Sequence, residues 1–257
     1  MKKIIIANWK MNPTTPRAAL RLMGKVARGL RGIKNVEVIL APPFVFLPIL
    51  RHTPYAIRHM FKLGAQDVFY EREGAFTGEV APPQLKASGA RMVVIGHSER
   101  RAMGETDDAV NKKIKAVLES GMRAVLCVGE KERKASEVFP KVVREELLGG
   151  IRKIKKSLLA NFIIAYEPVW AISSNARGKA DTPKNVYEMA ILIRRELYRA
   201  LGKRAASKIP VLYGGSVDEK NAAEFVAKGA IDGLLVGGAS LNAKKFVSLV
   251  KAVDKIK

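Results

Sequence analysis

The sequence has one cysteine, Cys127, three histidines, few aromatic residues (7%) and only 24 acids among 257 residues. Each scarcity excludes something. A single thiol cannot build an intramolecular disulfide framework or a cysteine-based zinc site, and it points to a reducing, cytoplasmic setting. Three scattered histidines offer no metal-ligand spacing, so no metal is expected. No apolar stretch approaches the roughly 20 residues of a membrane span. The opening Met-Lys-Lys-Ile-Ile-Ile-Ala-Asn-Trp-Lys has only Ile4–Ala7 as an unbroken aliphatic run, where a signal peptide has about 7–15 apolar residues, so no leader is expected. There is no Walker A motif, since Gly178-Lys179 is followed by Ala180, and no G-x-S-x-G elbow.

What is abundant is positive charge. Lysine and arginine total 46, for a net charge of +22. Such a surface attracts anions in general, phosphorylated metabolites and nucleic acids alike. The basic runs Lys112–Lys115, Lys131–Lys134, Arg152–Lys156 and Lys251–Lys257 are dispersed, mostly on helix-like segments. They read as solvated helix faces, so no specific nucleic-acid partner is expected.

Short apolar runs recur along the whole chain: Lys3–Trp9, Val36–Ala41, Phe61–Ala65, Met92–Gly96, Ala124–Val128, Phe162–Glu167, Val211–Gly214 and Gly233–Val236. They are nearly continuous rather than alternating, as strands buried on both faces are. Amphipathic stretches lie between them, including Arg17–Leu30, Ala109–Ser120, Lys141–Lys156, Pro183–Leu201 and Asn242–Val253. Asp181-Thr182-Pro183 supplies a helix start, a capping side chain followed by Pro in the first turn. Eight strands in 257 residues give about 32 residues per unit, the length of a βαβ repeat. No linker divides the chain. A single (β/α)8 barrel over residues 1–257 is therefore expected. The rival, an open doubly wound sheet, usually carries G-x-G-x-x-G after its first strand, which is absent.

Such barrels place their chemistry at the C-terminal ends of the strands. After the first strand, alternation sets Asn8 and Lys10 on one face and Trp9 on the other. After the fourth comes Gly96-His97-Ser98-Glu99. Ser98 and Glu99 open a helical turn, and an imidazole facing helix N–H groups is held neutral. His52 and His59, among basic and loop residues, read as surface histidines. The sixth run ends in Glu167, a carboxylate that is costly there unless paired, solvated or used. A carboxylate and a neutral imidazole at one barrel mouth are a base and an electrophile, equipment for moving a proton beside a carbonyl. The last two strands end in Tyr213-Gly214-Gly215-Ser216 and Val236-Gly237-Gly238-Ala239-Ser240, where many barrels bind phosphate through exposed N–H groups. A metal-free, cofactor-free reaction on a small phosphorylated carbonyl compound follows. A phosphosugar aldolase is the rival enzyme, with Lys62 as the conceivable Schiff-base lysine. A nucleic-acid-binding protein on an inactive barrel is the rival from another class.

These motifs resemble the triosephosphate isomerase family over essentially the whole chain. The resemblance rests on Asn8-Trp9-Lys10-Met11-Asn12, Ala41-Pro42-Pro43, Gly64-Ala65-Gln66-Asp67, Gly74-Ala75-Phe76-Thr77-Gly78-Glu79, Gly96-His97-Ser98-Glu99-Arg100-Arg101, Cys127-Val128-Gly129-Glu130, Ala165-Tyr166-Glu167-Pro168-Val169-Trp170-Ala171-Ile172 and the two glycine turns. It implies interconversion of dihydroxyacetone phosphate and glyceraldehyde 3-phosphate, in glycolysis and gluconeogenesis. The roles are the family's own rather than read from spacing: Glu167 the base, His97 the neutral electrophile, Lys10 the stabilising cation. Asn8 would orient the substrate and Glu99 would support Lys10. Ser173, Ser216, Gly237 and Gly238 would hold the phosphate. The segment Asp67–Glu79, with Phe69, Tyr70 and Phe76, carries too much aromatic surface for a lone loop. It resembles the family segment that docks into a second subunit, where Thr77 would approach that subunit's Asn8 and Lys10, so a homodimer is expected. The chain departs from the family at the lid. Ala171-Ile172 leads into Ser173–Lys179, three residues longer than the usual Gly-Thr-Gly-Lys, with Ser173 in the position of the lid glycine. The stretch after Glu130 also lacks the family's usual spacing of leucine, arginine and glycine.

Overall fold

A computed structural model describes residues 2–53, 60–133, 137–172 and 181–256. Eight parallel strands close into a barrel in chain order: β1 (Lys3–Asn8), β2 (Val36–Ala41), β3 (Lys62–Ala65), β4 (Ala90–Ile95), β5 (Arg123–Val128), β6 (Phe162–Tyr166), β7 (Val211–Tyr213) and β8 (Gly233–Val236). β1 closes the barrel by pairing with both β2 and β8. The expected (β/α)8 architecture is the one observed.

The continuous apolar runs follow from two separate cores. Ile4, Ile6, Ile39, Met92, Val94, Val125, Ile163, Ala165, Leu212 and Leu235 fill the barrel interior. Their chain neighbours Ile5, Ala7, Val38, Leu40, Val93, Ile95, Leu126 and Ile164 face the surrounding helices. Successive residues point to opposite faces, so both parities must be apolar.

The helices begin where capping predicts. Thr15 accepts the Ala18 N–H to start α1 (Pro16–Gly29). The remaining helices on the path to the site are α2 (Leu47–Arg51), α3 (Pro82–Ala87), α4 (Ser98–Ala102), α5 (Asp107–Glu119), α6 (Lys141–Ile151) and α7 (Pro183–Leu201). Thr182 caps α7 through the Asn185 N–H, with Pro183 in the first turn. One expected boundary fails. The helix expected to run to Lys156 stops at Ile151. The Asn111 side-chain amide, reaching across from α5, donates to the carbonyls of Gly149, Gly150 and Arg152 and caps the end. The basic run Arg152–Lys156 therefore lies almost wholly off the helix, with Lys153 at φ 57°.

Candidate active site

Strand parity delivers the site residues. Asn8 continues the interior row of Ile4 and Ile6, and Glu167 continues Ile163 and Ala165. Parity alone would send His97 outward, because Val93 and Ile95 face the helices. Gly96, at φ +72°, breaks the alternation. A side chain at that φ is strained, so glycine lets the chain turn His97 back over the mouth.

His97 is the N-cap of α4, and its Nδ1 accepts the Glu99 N–H at 3.2 Å. The ring hydrogen of the neutral imidazole is thereby assigned to Nε2. That atom lies 3.2 Å from Glu167 Oε1, with both side chains buried. Glu167 Oε2 receives the Ser98 N–H at 3.4 Å. Burial first, and then the Glu167 carboxylate, push the adjacent Cys127 thiol well up, so it stays protonated. Gly214 gives the base its room, since a Cβ there would sit 2.7 Å from Glu167 Cγ.

Lys10 reaches the same mouth from β1. It has φ 50°, a left-handed backbone unusual for lysine. Asn8 Oδ1 accepts its N–H at 3.0 Å, and the Gln66 amide donates to its carbonyl at 2.9 Å. Lys10 Nζ pairs with Glu99 Oε1 at 2.5 Å. Asn8, Lys10, His97, Glu167, Gly214, Gly215, Gly237 and Gly238 line one cavity of about 280 Å³, closed by Ile172, Leu235 and Leu241. Lys10 is the one cation among these lining residues.

Other expected residues fall elsewhere. Glu99 stands behind Lys10 and outside the cavity wall. Ser216 is also outside the wall, and its N–H donates to the Ala171 carbonyl. Ser173, the whole Ser173–Lys179 segment and His59 lie outside the described residues; His52 is exposed. Lys62 sits at the opposite end of the barrel, paired with Glu37 at 2.5 Å, which removes it as a Schiff-base lysine at the mouth. Among the described residues, no cluster of His, Cys, Asp and Glu is arranged to hold a metal, and no helix is long and apolar enough to cross a membrane.

Three participants escaped the sequence reading. Gln66 holds the strained Lys10 backbone. Ser240 Oγ donates to the Gly237 carbonyl at 2.7 Å and shapes the last glycine turn. Glu130 anchors the start of the segment after β6, accepting the Trp170 indole N–H at 3.1 Å and the Tyr166 hydroxyl at 2.9 Å. All three belong to motifs quoted above, but their partners are distant in the chain, and only the folded barrel brings them together.

The triosephosphate isomerase family model matches residues 3–253. The chain belongs to the triosephosphate isomerase family. Proteins named triosephosphate isomerase from Dehalococcoides mccartyi and Citrifermentans bemidjiense are 45% and 43% identical to it, covering 98% and 97% of this chain and 96% and 98% of their own. One from Carboxydothermus hydrogenoformans is 41% identical over 97% of this chain and 98% of its own length. The chain is thus an intramolecular isomerase.

The third loop is rooted by buried charge. Lys113 of α5 bridges Asp67, at 2.8 Å, and Glu105, and Arg100 reaches Asp67 at 2.8 Å. Above that root Phe69 stacks on Tyr70 at 4.3 Å and meets Phe76 at 4.7 Å, while Phe76 stays 43% exposed. Met11 (89% exposed), Val45 (77%) and Met103 (70%) follow β1, β2 and β4. The loops after four consecutive strands thus carry exposed apolar side chains.

Proposed function

We propose that this isomerase interconverts dihydroxyacetone phosphate and D-glyceraldehyde 3-phosphate through an enediolate, with Glu167, His97 and Lys10 as its catalytic residues. The observation that carries the reading is the 3.2 Å approach of His97 Nε2 to Glu167 Oε1 above a cavity whose one lining cation is Lys10. Glu167 takes a proton from the carbon beside the carbonyl. His97 gives its Nε2 hydrogen to the carbonyl oxygen as charge develops there, and Lys10 stabilises that charge. Glu167 then returns a proton to the adjacent carbon and His97 is reprotonated from the other oxygen, so the enzyme ends as it began. The N–H groups of Gly237 and Gly238 hold the phosphate, joined by Ser216 and Ser173. Anchoring the phosphate away from the reacting carbons commits binding energy to orientation. Asn8 orients the substrate and sets Lys10, and Glu99 holds Lys10 from behind.

The working form in this reading is a homodimer joined through the Asp67–Glu79 loop. The exposed Met11, Val45, Phe76 and Met103 support it. This reading puts the reaction in the cytoplasm, the reducing setting that a lone free thiol suits. A coupled isomerisation assay on the purified protein tests the activity. Sedimentation of the parent beside Phe76→Glu tests the dimer, and a monomeric parent would refute it.

A further inference from the structure

Behind the mouth lies an ion pair that the mechanism does not use, its acid buried and its arginine half-buried. Arg101 follows His97 on α4. Its Nε donates to the Gly96 carbonyl at 2.8 Å, its Nη1 to Asp107 at 2.6 Å, and Nε lies 3.4 Å from Glu146 Oε1. Glu146 comes from α6, whose buried face is otherwise Val143, Leu147, Gly150 and Ile151. It is 6% exposed, and its Oε2 accepts the Gly129 N–H at 2.9 Å. Gly129 abuts the backbone that carries the base, since a Cβ there would run into the Glu167 main-chain carbonyl. The Glu167 N–H donates to Val128, one residue away, at 2.8 Å. So Arg101 grips the turn that aims His97, Glu146 grips the turn that abuts Glu167, and the two grips meet.

Burial pushes the Glu146 carboxyl up to about 7, with Arg101 pulling it down and Asp107 and Glu167 pushing with the burial. A carboxylate on an apolar helix face is therefore held at a cost, and a hydrophobic residue of similar size would often serve stability as well or better. We propose that Glu146 is a positioning residue for the isomerisation: with Arg101 it clamps the Gly96 turn to the Gly129 turn and so sets the distance between His97 and Glu167. This rests on the reading of His97 and Glu167 as the reacting pair.

The test is steady-state kinetics on Glu146→Leu, Glu146→Gln and Glu146→Asp, with inorganic phosphate as a competitive inhibitor and thermal melting alongside. Leu keeps the packing volume and removes both acceptors. We expect its kcat to fall about tenfold or more, because small misplacements of reacting groups are costly. KM and the phosphate inhibition constant should stay within about twofold, since the phosphate is held by other loops, and the melting temperature should not fall. Gln still accepts the Gly129 N–H and should recover most of kcat. If the Leu chain does not fold, Asp decides. It keeps the charge but is one methylene short, so kcat should fall at unchanged phosphate inhibition. The proposal is overturned by a kcat within about twofold of the parent in Leu (or in Asp, where Leu does not fold), or by kcat, phosphate inhibition and melting temperature falling together in every variant. Running Glu167→Gln in parallel separates the failures. If Glu167→Gln is crippled while the Glu146 variants are normal, only the clamp is wrong. If all are normal, the site itself is misread.

Discussion

The two ends of the barrel handle charge in opposite ways. At the end where the strands begin, Glu37 is paired twice over, with Arg123 at 2.8 Å and Lys62 at 2.5 Å. Burial alone would raise its carboxyl, but the two cations hold it below the ordinary range. At the end where the strands finish, Glu167 is more deeply buried, at 3% exposure, and its nearest partner is an imidazole that offers a hydrogen rather than a full charge. The first arrangement is complete within the chain. The second leaves a carboxylate, an N–H and an ammonium aimed at one cavity. Charge balanced inside the fold serves stability, and charge left open toward a cavity is available to a substrate.

Breaking the open end should cost activity. Glu167→Gln keeps the size and removes the proton acceptor. Its kcat should fall by about 10²–10⁴, the usual contribution of a general base, with substrate affinity little changed. Near-normal turnover would erase the contrast between the two ends. Lys10→Met removes the one cation among the lining residues. Inorganic phosphate inhibition should weaken about tenfold or more, a loss typical of one charge-assisted hydrogen bond, and kcat/KM should fall further. Unchanged phosphate inhibition would mean that the backbone N–H groups hold the anion alone.

Glu146 sharpens the comparison, being a buried acid near the open end with one cation beside it where Glu37 has two. Its folded value near 7 lies above the ordinary 4.5, so the folded state binds the extra proton between those values. Stability from this group is thus fully present below about 4.5 and is lost as pH rises to about 7, by up to about 3 kcal/mol, at roughly 1.4 kcal/mol per unit. Glu146→Gln should abolish that slope, so its melting temperature should gain on the parent as pH rises. A parallel pH dependence in both proteins would show that Glu146 does not titrate in this range. The smallest effect belongs to the closed end. Glu37→Gln should cost about 1 kcal/mol near neutral pH and leave kcat unchanged. Because the folded Glu37 value is depressed, that contribution is present above its unfolded value and fades as pH falls through the folded one. Thermal melts at pH 7 and pH 3 check it, and a fall in kcat would show that the strand-start end is coupled to the chemistry.

Much of this contrast can be read in the chain before it folds. Runs such as Ile4–Ala7 and Phe162–Ala165 declare strands buried on both faces, and period-two counting carries Asn8 and Glu167 to the interior row. The rest depends on contacts that no local pattern encodes. His97 is placed by the positive φ of Gly96, which only the fold reveals. The end of α6 is fixed by Asn111 from another helix, so amphipathic periodicity overran it by five residues. Glu146 did leave a trace. It sits with Val143, Leu147 and Gly150 at helical spacing, a carboxylate on an apolar stripe, and that mismatch is the sequence signal for a buried charge with a task.

The central claim is that a carbon-bound proton passes through Glu167. It is tested most directly by running the parent enzyme in deuterium oxide and locating deuterium in the product. A proton held by a carboxylate exchanges with solvent, so deuterium should enter at the carbon beside the product's carbonyl, and Glu167→Gln should lose both turnover and incorporation. Full turnover in Glu167→Gln, with deuterium entering the product as it does in the parent, would mean that another group carries the proton, and the role assigned to Glu167 would be wrong.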